Sequence, residues 1–188
     1  MILINEAIEA IHRHRGDALI VGTMTPNRYW EQVSEKLELD LPIFGAMGKA
    51  SSVGLGLAMA QPDRKVLVLD GDGGLLMNLG SLVTIAGQGP ENLVHFAFVD
   101  GVYATTGGQP IPGAGTFDLE SIARGAGFPQ TMTFDNLEDF VSELPTILEL
   151  RGPVFVSLKI AHPEDGVEFY MGSTKDAVKR MRTALGTG

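Results

Sequence analysis

Apolar residues along the chain fall into short continuous runs that alternate with stretches of helical periodicity. The continuous runs predict buried strands over residues 18–21, 42–44, 66–69, 93–99 and 154–160. The periodic stretches predict helices over 4–16, 29–37, 50–60, 75–86 and 118–126, then from 135 past Pro145, and from 173 onward. Continuous apolar strands that alternate with helices are typical of a parallel sheet covered on both faces. The sequence therefore predicts an α/β fold in three layers, α/β/α, around a parallel sheet.

Two of the predicted strands end in turns that combine aspartate with glycine. The strand over 66–69 is followed by Asp70-Gly71-Asp72-Gly73-Gly74, and the strand over 93–99 is followed by Asp100-Gly101. Neighbouring parallel strands place their carboxyl ends at one edge of the sheet, so we expect Asp72 and Asp100 to lie side by side. Glycines let the backbone approach a ligand closely, and the start of the next helix offers N–H groups to an anion.

The aspartate within this glycine-rich turn indicates a metal ion as well as a phosphate. A carboxylate repels a bare phosphate unless a divalent cation lies between the two. Carboxylate oxygens are ligands that suit Mg²⁺. We therefore expect Asp72 and Asp100 to face one Mg²⁺ that bridges to a phosphate.

Two further segments are predicted to lack regular structure. Residues 23–28, Thr-Met-Thr-Pro-Asn-Arg, predict a polar turn at the carboxyl end of a strand. Residues 109–115 contain too many prolines and glycines for a helix or strand, and they predict a loop over the phosphate turns. His162 lies in a polar stretch after the last strand and is predicted to be a loop histidine, with a role towards substrate as the less favoured alternative.

Composition narrows the classes of function. The 188 residues include 14 Lys+Arg against 23 Asp+Glu, a net charge of −9, which argues against binding nucleic acid or an anionic membrane. The absence of cysteine excludes disulfides and thiolate metal sites. The amino terminus lacks the basic segment of a signal peptide, and no apolar run is long enough to span a membrane. We expect one domain over 1–188, located in the cytoplasm, with a small molecule or a protein as partner.

Three ordered motifs resemble those of thiamine-diphosphate enzymes. They are Gly45-Ala46-Met47-Gly48-Lys49-Ala50-Ser51-Ser52, the stretch from Leu69-Asp70-Gly71-Asp72-Gly73-Gly74 to Leu82, and residues 103–109. In these motifs the chain is similar to the diphosphate-domain (beta) subunit of sulfopyruvate and phosphonopyruvate decarboxylases. The resemblance covers the middle of the chain, from residue 44 to residue 109.

This resemblance implies the thiamine-diphosphate-binding fold, with thiamine diphosphate and Mg²⁺ as cofactors. The metal ligands it implies are Asp72, Asp100 and the backbone carbonyl of Val102. The cofactor-binding residues it implies comprise these three together with Gly45, Met47, Gly71, Gly73, Gly74 and Tyr103. Gly45 would accept a hydrogen bond from the aminopyrimidine, and Met47 would hold the cofactor bent. From the residues alone, Met47 could instead fill core.

The chain departs from the family pattern at two positions. The second metal ligand of the family is usually asparagine, and Asp100 stands there in this chain. The family often has histidine where Lys49 stands. An aspartate still offers oxygen to Mg²⁺, but its extra negative charge beside a diphosphate lowers cofactor affinity unless Lys49 or another cation compensates.

The resemblance further implies a two-subunit decarboxylase that acts on a small 2-oxo acid such as sulfopyruvate or phosphonopyruvate. The activating glutamate of the family lies on a separate pyrimidine-binding domain, so the catalytic acid is expected on a partner (alpha) subunit, in a homodimer or hetero-oligomer. Working alone, the chain would have to supply that acid from Glu31, Glu164 or Glu168. Two alternatives stay open: a subunit of another thiamine-dependent lyase or carboligase, similar to acetolactate synthase, and a noncatalytic subunit that has lost cofactor binding.

Overall fold

The structure is a computed structural model that describes residues 1–164 and 172–186. Its strands are β1 Ile2–Leu3, β2 Leu19–Thr23, β3 Asp40–Ile43, β4 Val66–Gly71, β5 Leu93–Val99, β6 Val102–Tyr103, β7 Gln109–Pro110, β8 Gln130–Phe134 and β9 Val154–Ala161. Its α-helices are α1 Ile4–His14, α2 Met24–Val33, α3 Ala50–Ala60, α4 Asp72–Leu76, α5 Ser81–Gln88, α6 Leu119–Ala126, α7 Leu137–Glu149 and α8 Thr174–Ala184. Within these described residues, none of the helices has the length and apolarity needed to cross a bilayer.

In the part of the chain that the structure describes, seven strands form one parallel sheet. They run in the order β1-β9-β5-β4-β2-β3, and β8 also pairs with β9. The remaining strands, β6 and β7, form a separate antiparallel hairpin. The predicted α/β architecture is confirmed, because every strand pair of the main sheet is parallel.

Two hydrophobic clusters cover the two faces of this sheet. Alternate residues of β4 belong to different clusters, since Leu67 and Leu69 face one side while Val66 and Val68 face the other. Helices α1, α2 and α7 pack on the first side, and helices α3, α5, α6 and α8 pack on the second. Burial on both faces explains why the central strands are apolar throughout.

Strands β4 and β5 end at the same edge of the sheet. Their register pairs Asp70 with Ala97 and Gly71 with Phe98. Strand β9 runs parallel on the other side of β5, with Val99 paired to Lys159. The turns after β4, β5 and β9 therefore lie together, as ligand-binding turns do in open parallel sheets.

The structure corrects two predicted boundaries near this edge. The polar turn over 23–28 is wrong, because β2 passes directly into α2 through Met24, which has a φ of 50°. The helix predicted over 29–37 exists with other bounds, since α2 already begins at Met24 and ends at Val33. Pro26 does not stop the helix, since the N–H groups of the first turn need no helical partner. The helix over 75–86 is split into α4 and α5, and between them Asn78 donates to the Gly48 carbonyl at 2.9 Å.

Other differences arise where the sequence pattern was weak. Strand β8 was missed because it lies at the edge of the sheet, where it pairs only with β9 among the described strands, and has the polar sequence Gln-Thr-Met-Thr-Phe. The predicted loop over 109–115 begins with the two residues of β7. The helix predicted from residue 135 begins at Leu137 as α7, and Asn136 caps it, because the Asn136 side chain accepts hydrogen bonds from the next helical N–H groups. The helix starts predicted at residues 118 and 173 are confirmed, since the side chains of Asp118 and Ser173 cap α6 and α8.

We predict that Gly54 and Gly56 of α3 respond in opposite ways to alanine. A Cβ at Gly54 would overlap Val68 on β4, whereas a Cβ at Gly56 would meet nothing within 4 Å. Gly54→Ala should lower the free energy of unfolding by about 1–3 kcal/mol through overpacking. Gly56→Ala should raise it by up to about 1 kcal/mol through helix propensity. Denaturant unfolding of the two variants measures both, and equal effects would contradict this account of α3 packing.

Candidate functional site

A cavity of about 60 Å³ lies at the sheet edge where β4 and β5 end. It is lined by Ile4, Met24, Thr25, Pro26, Met47, Gly71, Asp72, Gly73, Gly74, Phe98, Asp100, Val102, Tyr103, Ala104, Thr105, Thr106 and Ile160. Eight of the nine residues that the sequence singled out are therefore brought together. Asp72 and Asp100 are the only carboxylates, and no Lys, Arg or His occurs, among the described residues that line it.

Asp72 is buried at the turn from β4 into α4. Only 2% of its surface is exposed. Its Oδ1 accepts from its neighbour Gly73 N at 2.7 Å, and its Oδ2 accepts from Gly101 N at 2.8 Å. The second hydrogen bond ties the turn after β4 to the turn after β5. Each oxygen accepts one N–H in this way, which leaves further lone pairs for a metal.

The pKa of Asp72 is raised from 3.8 to about 6. Burial is the largest cause, and the negative charge of Asp100 adds to it, while hydrogen bonds from the backbone oppose it. Two ionised carboxylates that lie close together with little exposure to water repel each other, which is unfavourable without a cation between them. A divalent metal between them would reverse this cost.

Asp100 follows β5 directly, and both of its carboxylate oxygens have partners. Oδ1 accepts from Val102 N at 2.9 Å, and Oδ2 lies 2.7 Å from His162 Nε2. The Asp100 side chain is 12% exposed and that of His162 is 30% exposed. The prediction of His162 as an ordinary loop histidine therefore missed its contact with a candidate metal ligand.

Glycines shape the floor of the cavity. A Cβ on Gly73 would come within 2.7 Å of the Tyr103 ring, and a Cβ on Gly74 would come within 2.9 Å of Asp70 Oδ1. These two positions must be glycine because neighbouring side chains already fill the space. A Cβ on Gly71 would meet nothing within 4 Å, and Gly71 lines the cavity. The backbone at Gly71 is thus open towards a ligand.

The hairpin of β6 and β7 carries Val102 and Tyr103. Val102 pairs with Pro110, which has no N–H that it could donate to the Val102 carbonyl. The Ile111 amide donates to the Gly101 carbonyl at 3.0 Å and closes the hairpin onto the turn after β5. Hairpin order therefore fixes the backbone that bears the candidate metal ligands.

Of the two cofactor-binding residues predicted in the turn before α3, Met47 lines the cavity and Gly45 does not. Met47 is partly exposed, lines the cavity and belongs to neither hydrophobic cluster, so the structure favours a ligand-facing position over core filling. Gly45 does not line the cavity; it lies in the turn before α3 with a φ of 68°. Lys49 precedes α3 and is exposed to solvent.

Several lining residues were missed by sequence reasoning. Met24, Thr25 and Pro26 reach the cavity because α2 begins directly at the end of β2. Thr25 Oγ1 lies 3.4 Å from Thr105 Oγ1, which joins the start of α2 to the segment after β6. The local signal was present in the polar residues after a strand, but it was interpreted as a turn.

The three glutamates considered as internal acids do not line this cavity. Glu31 lines a separate groove with Leu37 and Phe44, and burial raises its pKa. Glu164 is exposed at the end of the first described range. Glu168 lies outside the described residues. Among the described residues, the cavity therefore receives no glutamate from this chain.

The donors at this edge fit Mg²⁺. Two carboxylates and one backbone carbonyl form an all-oxygen set, which is the chemistry that Mg²⁺ prefers, with ligand oxygens and water left to complete the shell. Within residues 1–164 and 172–186, no group of three or more His, Cys, Asp or Glu side chains is arranged to hold a metal.

Comparisons with known proteins point to the same chemistry. The family described as "Thiamine pyrophosphate enzyme, C-terminal TPP binding domain" matches residues 20–158. The chain is 40% identical over 159 residues to sulfopyruvate decarboxylase subunit beta of Methanothermobacter thermautotrophicus, across 82% of this chain and 82% of that protein. It is 38% identical over 144 residues to phosphonopyruvate decarboxylase of Streptomyces viridochromogenes, across 77% of this chain but only 36% of that protein.

A solved structure supports the fold. The thiamine diphosphate-dependent 4-hydroxybenzoylformate decarboxylase of Rhodococcus jostii superimposes with a TM-score of 0.70 at 19% identity. The match covers 86% of this chain and 33% of that one. This chain thus spans about a third of the length of the Streptomyces viridochromogenes and Rhodococcus jostii proteins, and most of the length of sulfopyruvate decarboxylase subunit beta of Methanothermobacter thermautotrophicus.

We predict that Asp72→Asn changes the pH dependence of stability in the metal-free protein. The folded state holds the Asp72 proton up to about pH 6, whereas the unfolded state releases it near 3.8, so the free energy of unfolding falls as pH rises through this window. The asparagine side chain does not ionise, so the variant does not lose this part of the free energy of unfolding as pH rises. Between pH 4 and pH 7, the free energy of unfolding of the variant should therefore rise relative to that of the wild type by roughly 3 kcal/mol at most.

Asp118→Asn is the matched control for this measurement. Hydrogen bonding from Ser121 lowers the pKa of Asp118 from 3.8, so its stabilising contribution is in place above this pH and is lost only below it; the stability difference between Asp118→Asn and the wild type should therefore stay nearly constant from pH 4 to pH 7. Denaturant unfolding at pH 4, 5, 6 and 7 gives both curves. A stability difference for Asp72→Asn that stays constant across this range would contradict the assignment.

Proposed function

Because the chain belongs to the thiamine pyrophosphate enzyme family, through its C-terminal TPP-binding domain, we propose that it is the diphosphate- and Mg²⁺-binding subunit of a 2-oxo acid decarboxylase. The observation that carries this proposal is the meeting of Asp72 and Asp100 beside the open backbone of Gly71. Residues 1–188 would act as one diphosphate-binding domain. The fold, the all-oxygen donor set and the names of the relatives agree on this function.

Each part of the site has a separate role in this proposal. Asp72, Asp100 and the Val102 carbonyl would hold Mg²⁺, and Gly71, Gly73 and Gly74 would leave room beside it for the diphosphate. Met47 would offer apolar support to the body of the cofactor. The Gly45 carbonyl is the acceptor that the family resemblance implies for the aminopyrimidine, and it lies outside the cavity lining, so it would meet the cofactor beyond this cavity. When bound, thiamine diphosphate supplies the nucleophilic carbon and the electron sink for loss of CO₂ from a 2-oxo acid.

The activating acid comes from a partner in this proposal. The cavity within this chain encloses about 60 Å³, far less than the roughly 300–1,000 Å³ of sites that enclose a whole ligand. Its two carboxylates are committed to the metal, and the described residues add no glutamate. A second surface is needed to supply the acid and to exclude water from the reacting carbon. A separate alpha subunit fits best, because the match to the relative named "subunit beta" covers most of both chains.

The substrate that fits best is a three-carbon 2-oxo acid with a second acidic group, sulfopyruvate or phosphonopyruvate. The relatives at about 40% identity carry these substrates in their names. The described lining of the cavity has no cation that could bind the sulfonate or phosphonate. The partner subunit would therefore provide the basic group that recognises it.

We predict that Asp72→Ala abolishes Mg²⁺-dependent binding of thiamine diphosphate. The change removes one of two carboxylate ligands and leaves the metal without a buried charge partner. Isothermal titration calorimetry with and without Mg²⁺ measures the effect. Asp63→Ala, at an exposed position away from the cavity, should bind like the wild type. Unchanged binding by Asp72→Ala would contradict the proposed metal site.

We also predict that the 188-residue chain alone releases no CO₂ from sulfopyruvate or phosphonopyruvate at saturating Mg²⁺ and thiamine diphosphate. The reason is the missing acid at the cavity. Adding a pyrimidine-binding alpha subunit should restore turnover, and size-exclusion chromatography with light scattering should show the chain in an oligomer. Turnover by the single chain at the rate of the assembled enzyme would overturn the proposal of a shared site.

A further inference from the structure

The contact between His162 and Asp100 joins residues that are 62 positions apart in the chain. Asp100 is the first residue after β5, and His162 is the first residue after β9. The two strands are parallel neighbours, with Val99 opposite Lys159. The sheet itself therefore brings the imidazole and the carboxylate to the same edge, at 2.7 Å between Nε2 and Oδ2.

The imidazole of His162 also contacts a second side chain, that of Tyr29. The ring of Tyr29 on α2 stacks against His162, with centroids 6.4 Å apart and an interplanar angle of 27°. Tyr29 is 5% exposed and belongs to the first hydrophobic cluster. Packing against this core residue thus limits the movement of the His162 ring, and the contact with His162 in turn limits the movement of the Asp100 carboxylate.

The two hydrogen bonds to Asp100 suit an aspartate better than an asparagine. An ionised carboxylate only accepts, so His162 Nε2 must carry the proton in this contact, as Val102 N does in the other. An asparagine would present an NH₂ group to one of these two donors unless His162 changed its tautomer. Asp100 and His162 are therefore matched in hydrogen-bond polarity.

We propose that His162 is a positioning residue that fixes the Asp100 carboxylate for Mg²⁺. The inference rests on the proposed function, because it requires Asp100 to bind the metal. His162 lies outside the cavity lining and acts only through Asp100. Groups that orient a metal ligand in this way contribute about 10–100-fold to metal affinity in proteins.

The test is the Mg²⁺ affinity of the chain at saturating thiamine diphosphate, measured by calorimetry for the wild type and for four variants. These are His162→Leu, His162→Gln, Asp100→Asn and the double variant Asp100→Asn with His162→Leu. His162→Leu should weaken Mg²⁺ binding at least about tenfold. His162→Gln should retain most of the affinity, because its side-chain amide can donate to Oδ2. In the Asp100→Asn background, the His162→Leu change should cost much less than in the wild type.

Each outcome separates the inference from the proposed function. Wild-type protein that binds no Mg²⁺ with thiamine diphosphate would overturn both. A wild type that binds, with His162→Leu within about twofold of it, would overturn only the role of His162. An equal loss from His162→Leu in both backgrounds would show that the histidine does not act through the Asp100 carboxylate. His14→Leu, on the surface of α1, is the histidine control and should leave Mg²⁺ affinity unchanged.

Discussion

The parallel register of β4 and β5 is the constraint on which the site depends. Because Gly71 lies opposite Phe98, the residues that follow the two strands, Asp72 and Asp100, emerge side by side at one edge of the sheet. The hydrogen bond from Gly101 N to Asp72 links the two turns. A shift of this register would separate the carboxylates and leave no shared place for a cation. The apolar faces of the sheet, which fix the register, thus determine the chemistry at its edge.

The sequence predicted the central strands well, because strands buried on both faces must be apolar throughout. It failed where that rule does not apply. Strand β8 is only partly buried and its polar residues give no apolar run. At Met24 the chain passes from strand to helix in a conformation that non-glycine residues rarely adopt, so no turn signal marks it. The local pattern of apolar residues is enough to predict the buried strands of the core. Elements that are stabilised by contacts with neighbouring elements can be located only in the tertiary structure.

The residues of the site likewise divide into those that the sequence predicted and those that only tertiary contacts reveal. Asp72, Asp100, Val102 and Met47 were identified from motifs, and they line one cavity. From the motifs, Lys49 was a cation that could offset the charge of the unusual Asp100, yet Lys49 is exposed to solvent and the side chain of His162 contacts Asp100. No spacing rule could predict that contact, since it depends on β9 lying beside β5. Prediction from motifs therefore stops at residues whose partners come from distant parts of the chain.

The hairpin of β6 and β7 has a thermodynamic consequence of its own. Both Asp100 and Val102 belong to the segment that the hairpin closes, and the Tyr103 ring packs on Gly73 of the neighbouring turn. Under the proposed function, binding of a cation by this segment and ordering of the hairpin would be linked equilibria, and each would favour the other by the same free energy. Substitutions in the hairpin that touch neither metal nor cofactor would then tune affinity. The hairpin is a place where evolution could adjust cofactor retention without altering a single ligand.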